Sequence, residues 1–492
     1  MRVRAAPDRL EAFTEAGRDM VGDLDRTAGT LGRALDDLRE APGHSEFLGD
    51  VPPLDVHLRE AAHRLELLAG LTSALSRRLR DLDADAAVVD SRLDLRLLLG
   101  VFHDLARFRP PPVTPDYDPA RWLATEEGAE ALADVRALLE PGLLGVPASN
   151  LEDLQRLVGA LPPVLADAVV HGLTDAEVRR LVDALDDRWL PGYGFDRVQR
   201  QEFWAVVGSR VSLVSFRRLA AVTDDLDPPP ATALDDAASD RPQRREFYDA
   251  LTYRPFEGWL TWQGAGDPHA ISRNDTTQGR IGNCYLIAAM MGIADHDPKL
   301  LEGMITENRN GTFTVRFADG QRVVVSPDLP VHPDEPTRPV FSGYKLSEDD
   351  HDTPAGRFEL WPSLLEKAYA QKHGDWGETV GGWPGETITE LVGGETARLD
   401  PTTTSPGELA DQLANGKVVT LVTLADPGEA GEEIYEDNDL LTGQHAYVVT
   451  HVTDDGHIEL HNPWEAEHAL PLVLTEDELK EVGWRIEVNE LP

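Results

Sequence analysis

Apolar residues recur at steps of three and four through the first part of the chain, which predicts long amphipathic helices. One such seam runs through residues 9–40 and another through residues 54–82, and residues 91–108 continue the pattern. The intervening stretch 40–53 contains Pro and Gly, which interrupt helices. Two long helices joined by a short break favour an antiparallel hairpin, so we predict a helical hairpin domain over residues 1–110.

The same spacing continues from residue 120 to residue 222, after a proline-rich stretch that is typical of a stiff connection. It predicts a second helical domain over residues 111–223, with Thr174 as the N-cap of one helix. Residues 224–243 read DDLDPPPATALDDAASDRPQ, and they contain Pro, Ala and Asp but few large apolar side chains. We therefore predict an acidic Pro/Ala linker there.

Beyond this linker the apolar period shortens to two, which is the period of β-strands. Residues 311–326 and residues 445–462 each alternate around a Gly-containing turn, which predicts two β-hairpins. By contrast, an uncharged apolar run follows Cys284 and predicts a buried helix of about ten residues that starts at the cysteine. The predicted fold class is multidomain, with an all-α N-terminal half and a mixed α and β domain over residues 244–492.

Composition narrows the classes of function. Of the 492 residues, 88 are acidic and 46 are Lys or Arg, which gives a formal net charge of −42. Such a surface repels phosphate backbones and anionic membranes, so we expect no nucleic acid partner; solubility is the simplest use of the charge. No stretch reaches the roughly 18 consecutive apolar residues of a membrane span. The first residues lack a secretory signal pattern, so we expect a cytoplasmic protein or one secreted without a Sec-type signal peptide.

The chain contains a single cysteine, Cys284, between a Gly-rich turn and the apolar run. A lone cysteine excludes an internal disulfide framework. At the first turn of a helix, unpaired backbone N–H groups and the helix dipole favour a thiolate, which is the nucleophilic form. The position therefore predicts a thiol that alkylates faster than a model thiol, against the alternative of a small buried apolar residue.

Other residues supply the groups that a thiol protease needs besides its cysteine. Gln278, six residues upstream, can donate its side-chain amide to an oxyanion together with the backbone N–H of Cys284. His445 starts one hairpin strand and Asn462 ends the returning strand, so the Asn amide can orient the imidazole as a base. Trp464 can shield that hydrogen bond from water. The competing histidines, which we interpret as surface or packing residues, are His451, His457, His461 and His468.

Four segments resemble the calpain family of papain-like cysteine proteases. QGRIGNCYLIAA resembles that family's cysteine segment, and LWPSLLEKAYAQKHGDWGETVGG resembles its helix and Gly-Gly substrate loop. HAYVV and HNPW resemble its histidine and asparagine segments, in the same order along the chain. The resemblance covers residues 241–492, which we expect to fold alone, and says nothing about the first half.

This resemblance implies a two-lobed α+β core, in which a helical lobe carries the cysteine, a sheet lobe carries His and Asn, and a cleft between them binds peptide. It implies that a triad cleaves protein substrates, with Cys284 as nucleophile, His445 as base and Asn462 as orienting residue. It also implies that Gln278 donates to the oxyanion. The substrate backbone would be bound by the loop glycines Gly381 and Gly382.

Several positions depart from the family pattern. Asn283 stands where Asp is usual, Tyr285 where Trp is usual, and Gln444 where many members have Gly. Calpains bind calcium, and Asp275 and Glu366 match acidic ligand positions. The chain after NPW has no room for the second set of acidic loops, however, and no EF-hand loop is visible. We therefore predict that no cofactor is required and that proteolysis does not depend on calcium.

The helical hairpin resembles the leaders of bacterial secreted effectors and polymorphic toxins, although the Trp-x-Gly turn is missing. This resemblance favours a bacterial effector protease in which residues 1–110 meet a secretion or helical partner. A second hypothesis is an intracellular regulatory protease that is restrained by its helical half. A third is a non-catalytic interaction protein that retains the fold, against which the complete set of Gln, Cys, His and Asn argues.

Overall fold

The structure, a computed structural model, describes residues 119–186, 191–233, 242–256, 258–261, 270–342, 358–438, 440–464 and 472–492. The chain divides into two compact units, Met1–Pro110 and Pro111–Pro492, and every described residue belongs to the second. The predicted helical hairpin over residues 1–110 therefore lies outside the described residues. We call residues 119–233 the helical region and residues 242–492 the C-terminal region.

Amphipathic helices form the helical region, as the apolar spacing predicted. Their apolar faces meet in one core that includes the fully buried side chains of Phe203, Trp204 and Phe216. Thr174 caps a helix as predicted, because its Oγ1 accepts from the backbone N–H of Glu177 at 3.3 Å. The helices are α1 Pro119–Leu123, α2 Glu126–Leu138, α3 Ala148–Ala160, α4 Pro163–Gly172, α5 Asp175–Asp186, α6 Arg197–Gly208 and α7 Leu213–Ala220.

Residues 224–233 differ from the predicted linker, because they pack against the C-terminal region. Leu226 is fully buried, and Pro230–Ala233 form a 3-10 turn. The carbonyl of Pro228 accepts a hydrogen bond from the indole nitrogen of Trp376 at 3.0 Å. The low apolar content of this segment favoured an exposed linker, although its few apolar side chains are buried. Residues 234–241, the rest of the predicted linker, lie outside the described residues.

The C-terminal region contains an apolar helix, α9, that begins at Cys284. Residues 285–294 of α9 are all buried, and they form the centre of the largest apolar cluster described in the protein. The helices are α8 Pro242–Asp249, α9 Cys284–His296, α10 Pro298–Met304, α11 Trp361–His373, α12 Pro384–Val392, α13 Pro406–Ala414, α14 Gly428–Asp437 and α15 Glu476–Val482.

An antiparallel sheet of six strands lies beside α9, in the order β12-β11-β10-β9-β13-β8. Its central strand β9 reads VVTLVT, and every residue in it is buried, which suits β-branched side chains. The strands are β8 Glu395–Leu399, β9 Val418–Thr423, β10 Ala446–Val452, β11 Ile458–His461, β12 Leu472–Leu474 and β13 Gly483–Glu490.

Smaller sheets complete the C-terminal region. A three-stranded sheet has the order β3-β4-β5, β1 pairs with β6, and β2 pairs in parallel with β7. The strands are β1 Thr252–Pro255, β2 Gly258–Trp259, β3 Ile305–Glu307, β4 Phe313–Arg316, β5 Arg322–Val325, β6 Asp328–Val331 and β7 Phe358–Glu359. Both predicted hairpins are confirmed, as β4–β5 and as β10–β11. In the described part of the chain, no helix combines the length and the apolar character that a membrane crossing requires.

The helical region and the C-terminal region share buried contacts. Val324 of β5 belongs to the apolar core of the helical region. The Arg217 guanidinium forms two hydrogen bonds of 2.7 Å to the carboxylate of Asp328 on β6. Lys367 of α11 is fully buried and forms an ion pair with Asp227. These contacts join the two regions into one packed body, whereas the sequence suggested separate domains.

Candidate active site

The thiol of Cys284 stands at the first residue of α9, as the sequence predicted. Asn283 precedes it as the N-cap residue, and the apolar run behind it fixes the helix in the core. The helix extends for 13 residues, somewhat longer than the pattern suggested. The thiol itself is partly buried. Burial of the helix therefore holds a single cysteine at the rim of the core.

The electrostatics of this thiol differ from the sequence-based expectation. Burial raises the pKa of the Cys284 thiol above its ordinary value of 9.0. The backbone N–H groups of Ala446, Tyr285 and Cys284 itself act in the opposite direction, but they do not outweigh burial. The helix N-terminus alone thus does not make this thiol a thiolate. The sequence pattern suggested that the helix start lowers the pKa of this thiol, whereas the structure gives the opposite direction because the sulfur is partly buried.

The β10–β11 hairpin brings His445 and Asn462 together. Val448 pairs with His461, so the register places Asn462 opposite Tyr447. The His445 Nε2 atom lies 2.9 Å from Oδ1 of Asn462. The register of one hairpin therefore sets the distance between these two side chains.

The hydrogen bonds around Asn462 determine the tautomer of His445. Nδ2 of Asn462 donates to the carbonyl of Leu440 at 3.0 Å, and the backbone N–H of Trp464 donates to Oδ1 at 2.9 Å. Oδ1 therefore faces the imidazole, and since it can only accept, Nε2 carries the proton. This leaves a lone pair on Nδ1 of His445, which is the atom that could accept a proton from a thiol.

The imidazole of His445 is buried, with 4% of the residue exposed. Burial lowers its pKa from 6.5 to about 4, although the hydrogen bond to Asn462 acts the other way. Within the described residues, the ring hydrogen-bonds to Asn462 and not to Cys284. The thiol instead lies against the N–H of Ala446, the residue next to His445. In this state both groups are neutral at neutral pH.

Trp464 connects the His-Asn pair to Gln278. Its ring lies 4.5 Å from the ring of His445, and its Nε1 donates to Oε1 of Gln278 at 3.0 Å. The backbone N–H of Gln278 donates to the carbonyl of Pro463 at 2.8 Å. Nε2 of Gln278 donates to the carbonyl of Ile281 at 2.7 Å, which uses one of its two hydrogens. Both ends of the Gln278 carboxamide are thus held by hydrogen bonds. The sequence placed Trp464 near the pair but did not predict its bond to Gln278.

The two loop glycines have different constraints. Gly381 has φ +76°, and its N–H donates to the carbonyl of Gly282 at 2.9 Å. At Gly382 a Cβ atom would lie 2.6 Å from the ring of Tyr285, which excludes any larger residue without a shift of that ring. Gln444 has φ +53°, a conformation that favours the Gly of the family pattern.

The two acidic residues that matched calcium ligand positions are both engaged with protein donors. Glu366 is buried and accepts from Nδ2 of Asn283 at 2.6 Å and from the N–H of Ser342 at 2.8 Å. Asp275 accepts from the N–H of Ser272 at 2.6 Å and also from the indole of Trp361. Across the part of the chain that the structure describes, no group of three or more His, Cys, Asp or Glu is placed to hold a metal ion.

Three of the competing histidines lie within the described residues, and all three belong to the β10–β11 hairpin. His451 is exposed on β10, and the ring of His457 lies 3.1 Å from the carboxylate of Asp455 in the hairpin turn. His461 pairs with Val448 in the sheet, and His468 lies outside the described residues.

Comparison with known proteins identifies the C-terminal half. Residues 253–469 match the model of the calpain family cysteine protease. The chain is 29% identical over 210 residues to the calpain-type cysteine protease DEK1 of Zea mays, which is 40% of this chain and 9% of the relative. It is 32% identical over 213 residues to calpain-12 of Mus musculus, which is 39% of this chain and 27% of the relative.

These matches place a calpain-family cysteine protease domain in the C-terminal half, and they support a cysteine-type endopeptidase. The chain spans less than a third of the length of either relative. The relatives are a plant and an animal protein, so they give the bacterial context no support.

Proposed function

We propose that the calpain-family domain is an endopeptidase that cleaves proteins with Cys284 as nucleophile, His445 as base and Asn462 as the orienting residue. The observation that carries the proposal is the 2.9 Å contact between Nε2 of His445 and Oδ1 of Asn462. Because Leu440 and Trp464 fix the orientation of that amide, the lone pair of Nδ1 is set before any substrate arrives. A cysteine protease needs this tautomer for proton transfer from the thiol.

The proposed reaction begins when Nδ1 of His445 takes the thiol proton and the sulfur of Cys284 attacks the scissile carbonyl. The resulting oxyanion is stabilised by the backbone N–H of Cys284 and the side-chain amide of Gln278. The imidazolium then protonates the leaving amine, and a thioester remains on the enzyme. Water, deprotonated by His445, attacks the thioester and releases the carboxylate product and the thiol.

The proposal includes a two-lobed arrangement of the C-terminal region. The apolar cluster around α9 would form one lobe and the six-stranded sheet the other, with peptide bound between them. Because burial disfavours charge on both the thiol and the imidazole, the ion pair would form only when substrate brings the two groups together. In many enzymes the catalytic hydrogen bonds are long or poorly aligned in the free state and shorten only in the complex with substrate, which agrees with formation of the ion pair after substrate binds.

Cleavage of an unfolded protein tests the proposal. With denatured casein as substrate, we expect Cys284→Ala to abolish cleavage and Asn462→Ala to lower the rate by about 10²-fold, because the imidazole loses its fixed orientation. His451→Ala is the control, since this histidine is exposed on β10 of the hairpin that Asn462 follows, and it should retain full activity. Equal cleavage by the wild type and Cys284→Ala would reject the proposal.

A separate proposal, which concerns residues 1–110 only, is that these residues direct export of the protein from the cell. The predicted helical hairpin supports a role for these residues in export from a bacterial cell, as in the effector hypothesis. The alternative is a regulatory protease within the cell that is restrained by its helical half. Deletion of residues 1–110 should abolish export and leave casein cleavage unchanged if the delivery proposal holds. Altered cleavage with unchanged location would favour regulation.

A further inference from the structure

A cavity of about 610 Å³ lies beside the candidate catalytic loop. One wall is formed by that loop, residues 278–282, which precedes Cys284, and another by helix α8. Gly282 lines the cavity and also accepts the hydrogen bond from Gly381, so the cavity borders the loop that would hold the substrate backbone. Its size is in the range of sites that hold a side chain or a small ligand.

The lining of this cavity is basic, although the chain is strongly acidic. Arg244 of α8 and Arg280 of the loop both line it, and no Asp or Glu is among the described residues that do so. Among the described carboxylates, none forms an ion pair with either guanidinium. In a chain with 88 acidic and 46 basic residues, two arginines that face one cavity lined by no carboxylate from the described residues form a local site for an anion.

Neighbouring contacts hold the two walls in place. The Arg280 guanidinium lies 4.8 Å from the centre of the Phe247 ring, and the Phe247 ring stacks on that of His332 at 4.7 Å. The backbone N–H of Arg280 donates to Val340 at 2.9 Å, and the hydroxyl of Tyr248 donates to the carbonyl of Arg280. The loop and α8 are thus tied together at the cavity, so the charge of Arg280 is held at a defined place.

We propose that this cavity is a substrate subsite that binds an acidic side chain, Glu or Asp, within a few residues of the scissile bond. The inference rests on the proposed endopeptidase function and adds a substrate preference to it. The guanidinium groups of Arg244 and Arg280 would bind the carboxylate, while Phe247 and Val380 contact the aliphatic part of the side chain. The cavity would thereby select substrates by charge at a site separate from the Cys-His-Asn residues.

Paired peptides test this subsite. Cleavage sites in casein are mapped by mass spectrometry, and peptides around one site are made in pairs that carry Glu or Gln at each of the flanking positions. At the position that enters the cavity, we expect the Glu peptide to be cleaved with a kcat/KM about fivefold above that of the Gln peptide. The ratio should fall toward one in about 1 M salt, where charge interactions are screened.

Variants connect the preference to the cavity. Arg244→Gln should lower the Glu-to-Gln ratio of kcat/KM toward one, whereas Arg244→Lys should retain most of the preference. The control is Arg316→Gln, which changes an exposed arginine on β4 outside the cavity lining and should leave the ratio unchanged. A ratio near one in the wild type at every position would overturn the proposal. A rise in the cleavage of both peptides by Arg244→Gln would also overturn it, because that result would show that another part of the chain covers the cavity in the wild type.

A binding measurement separates this inference from the proposed function. The peptides for this measurement are chosen without reference to cleavage, as a set of short peptides that carry Glu or Gln at each position in turn. In Cys284→Ala, which cannot react, calorimetric titration should give a Kd for one Glu peptide about fivefold lower than for its Gln counterpart. If that preference is found while the wild type cleaves nothing, the endopeptidase proposal fails and the subsite stands. If the wild type cleaves but the two Kd values are equal, the subsite fails and the endopeptidase proposal stands.

Discussion

The buried thiol of Cys284 and the buried imidazole of His445 each favour their uncharged form, and this determines how the free enzyme should react. Burial raises the pKa of the thiol and lowers that of the imidazole to about 4. The backbone N–H groups around the sulfur act in the direction of ionisation but do not outweigh burial. Reactivity at this residue is therefore set by its surroundings more than by its place at a helix start.

Alkylation of Cys284 with iodoacetamide measures this balance. Since the raised pKa leaves little thiolate at pH 7, we expect a rate at or below that of free cysteine, rising continuously as the pH passes the ordinary thiol pKa of 9.0. The single cysteine makes the readout unambiguous, because mass spectrometry can assign every adduct to one residue. A rate above that of free cysteine at pH 7 would contradict the expectation and would mean that the ion pair exists before substrate binds.

At the scale of secondary structure, the contact between α9 and α11 depends on a buried carboxyl. Glu366 on α11 accepts from Asn283, the N-cap residue of α9, and from the N–H of Ser342. Burial raises the pKa of Glu366 from 4.5 to about 7, although both hydrogen bonds favour the ionised form. The folded protein therefore holds a proton here that the unfolded chain releases at lower pH.

The stability of the protein should depend on pH through this residue. Between about pH 4.5 and pH 7 the folded state binds more protons at Glu366 than the unfolded state, so its contribution to stability is present below 4.5 and is lost as the pH rises through 7. Urea unfolding at pH 5 and pH 8 should show a loss of stability for the wild type that is smaller in Glu366→Gln. An equal pH dependence in both proteins would assign the effect to other groups.

Glu366 also matters for whether the protein requires calcium, because it matches a calcium ligand position of the family. Glu366 and Asp275 are each engaged with donors from the protein, and the described residues hold no cluster of three or more possible metal ligands. We expect casein cleavage to continue in excess EDTA, because the contact between α9 and α11 is made by hydrogen bonds within the chain. The measurement is the rate with EDTA, with EDTA followed by excess calcium, and with neither. A loss of activity that calcium restores would contradict the prediction and would point to these two carboxylates.

At the scale of the whole molecule, the helical region is part of the same folded body as the protease domain. Lys367 is fully buried, and besides its ion pair with Asp227 it donates to the carbonyls of Ser326 and Asp328. Asp227 belongs to the segment that the sequence suggested was a linker. Separation of the two regions would leave this lysine without its counter-charge, so we no longer expect residues 241–492 to fold alone.

Removal of the Asp227 carboxylate should lower the stability of the protein. Asp227→Ala leaves a buried ammonium without its carboxylate, and we expect a loss of about 3 kcal/mol in the free energy of unfolding, measured with urea on the full chain. The double variant Asp227→Ala, Lys367→Met should recover much of the loss, because neither charge then remains in the interior. Asp224→Ala is the control from the same segment, and it should be nearly neutral because this residue is exposed. A loss below about 0.5 kcal/mol for Asp227→Ala would show that the ion pair does not hold the regions together.

The sequence by itself determined the elements that depend on local pattern. An uncharged apolar run begins at Cys284, so a buried helix starts there, and the alternating pattern of residues 445–462 predicted the hairpin that brings Asn462 beside His445. Turn position and a period of two are local properties, and together they set the register of a hairpin. The candidate residues of the site could therefore be named from motifs and spacing alone.

Only the tertiary structure decided the environment of those residues. The direction of the thiol pKa, the bond between Trp464 and Gln278, the partner of Glu366 and the burial of Asp227 all depend on which elements pack against which. The basic cavity likewise joins a helix and a loop that are well separated along the chain. Burial is a property of the assembled core, and the free energy of a buried charge depends on the groups that surround it in space. No pattern along the chain could therefore have given these results.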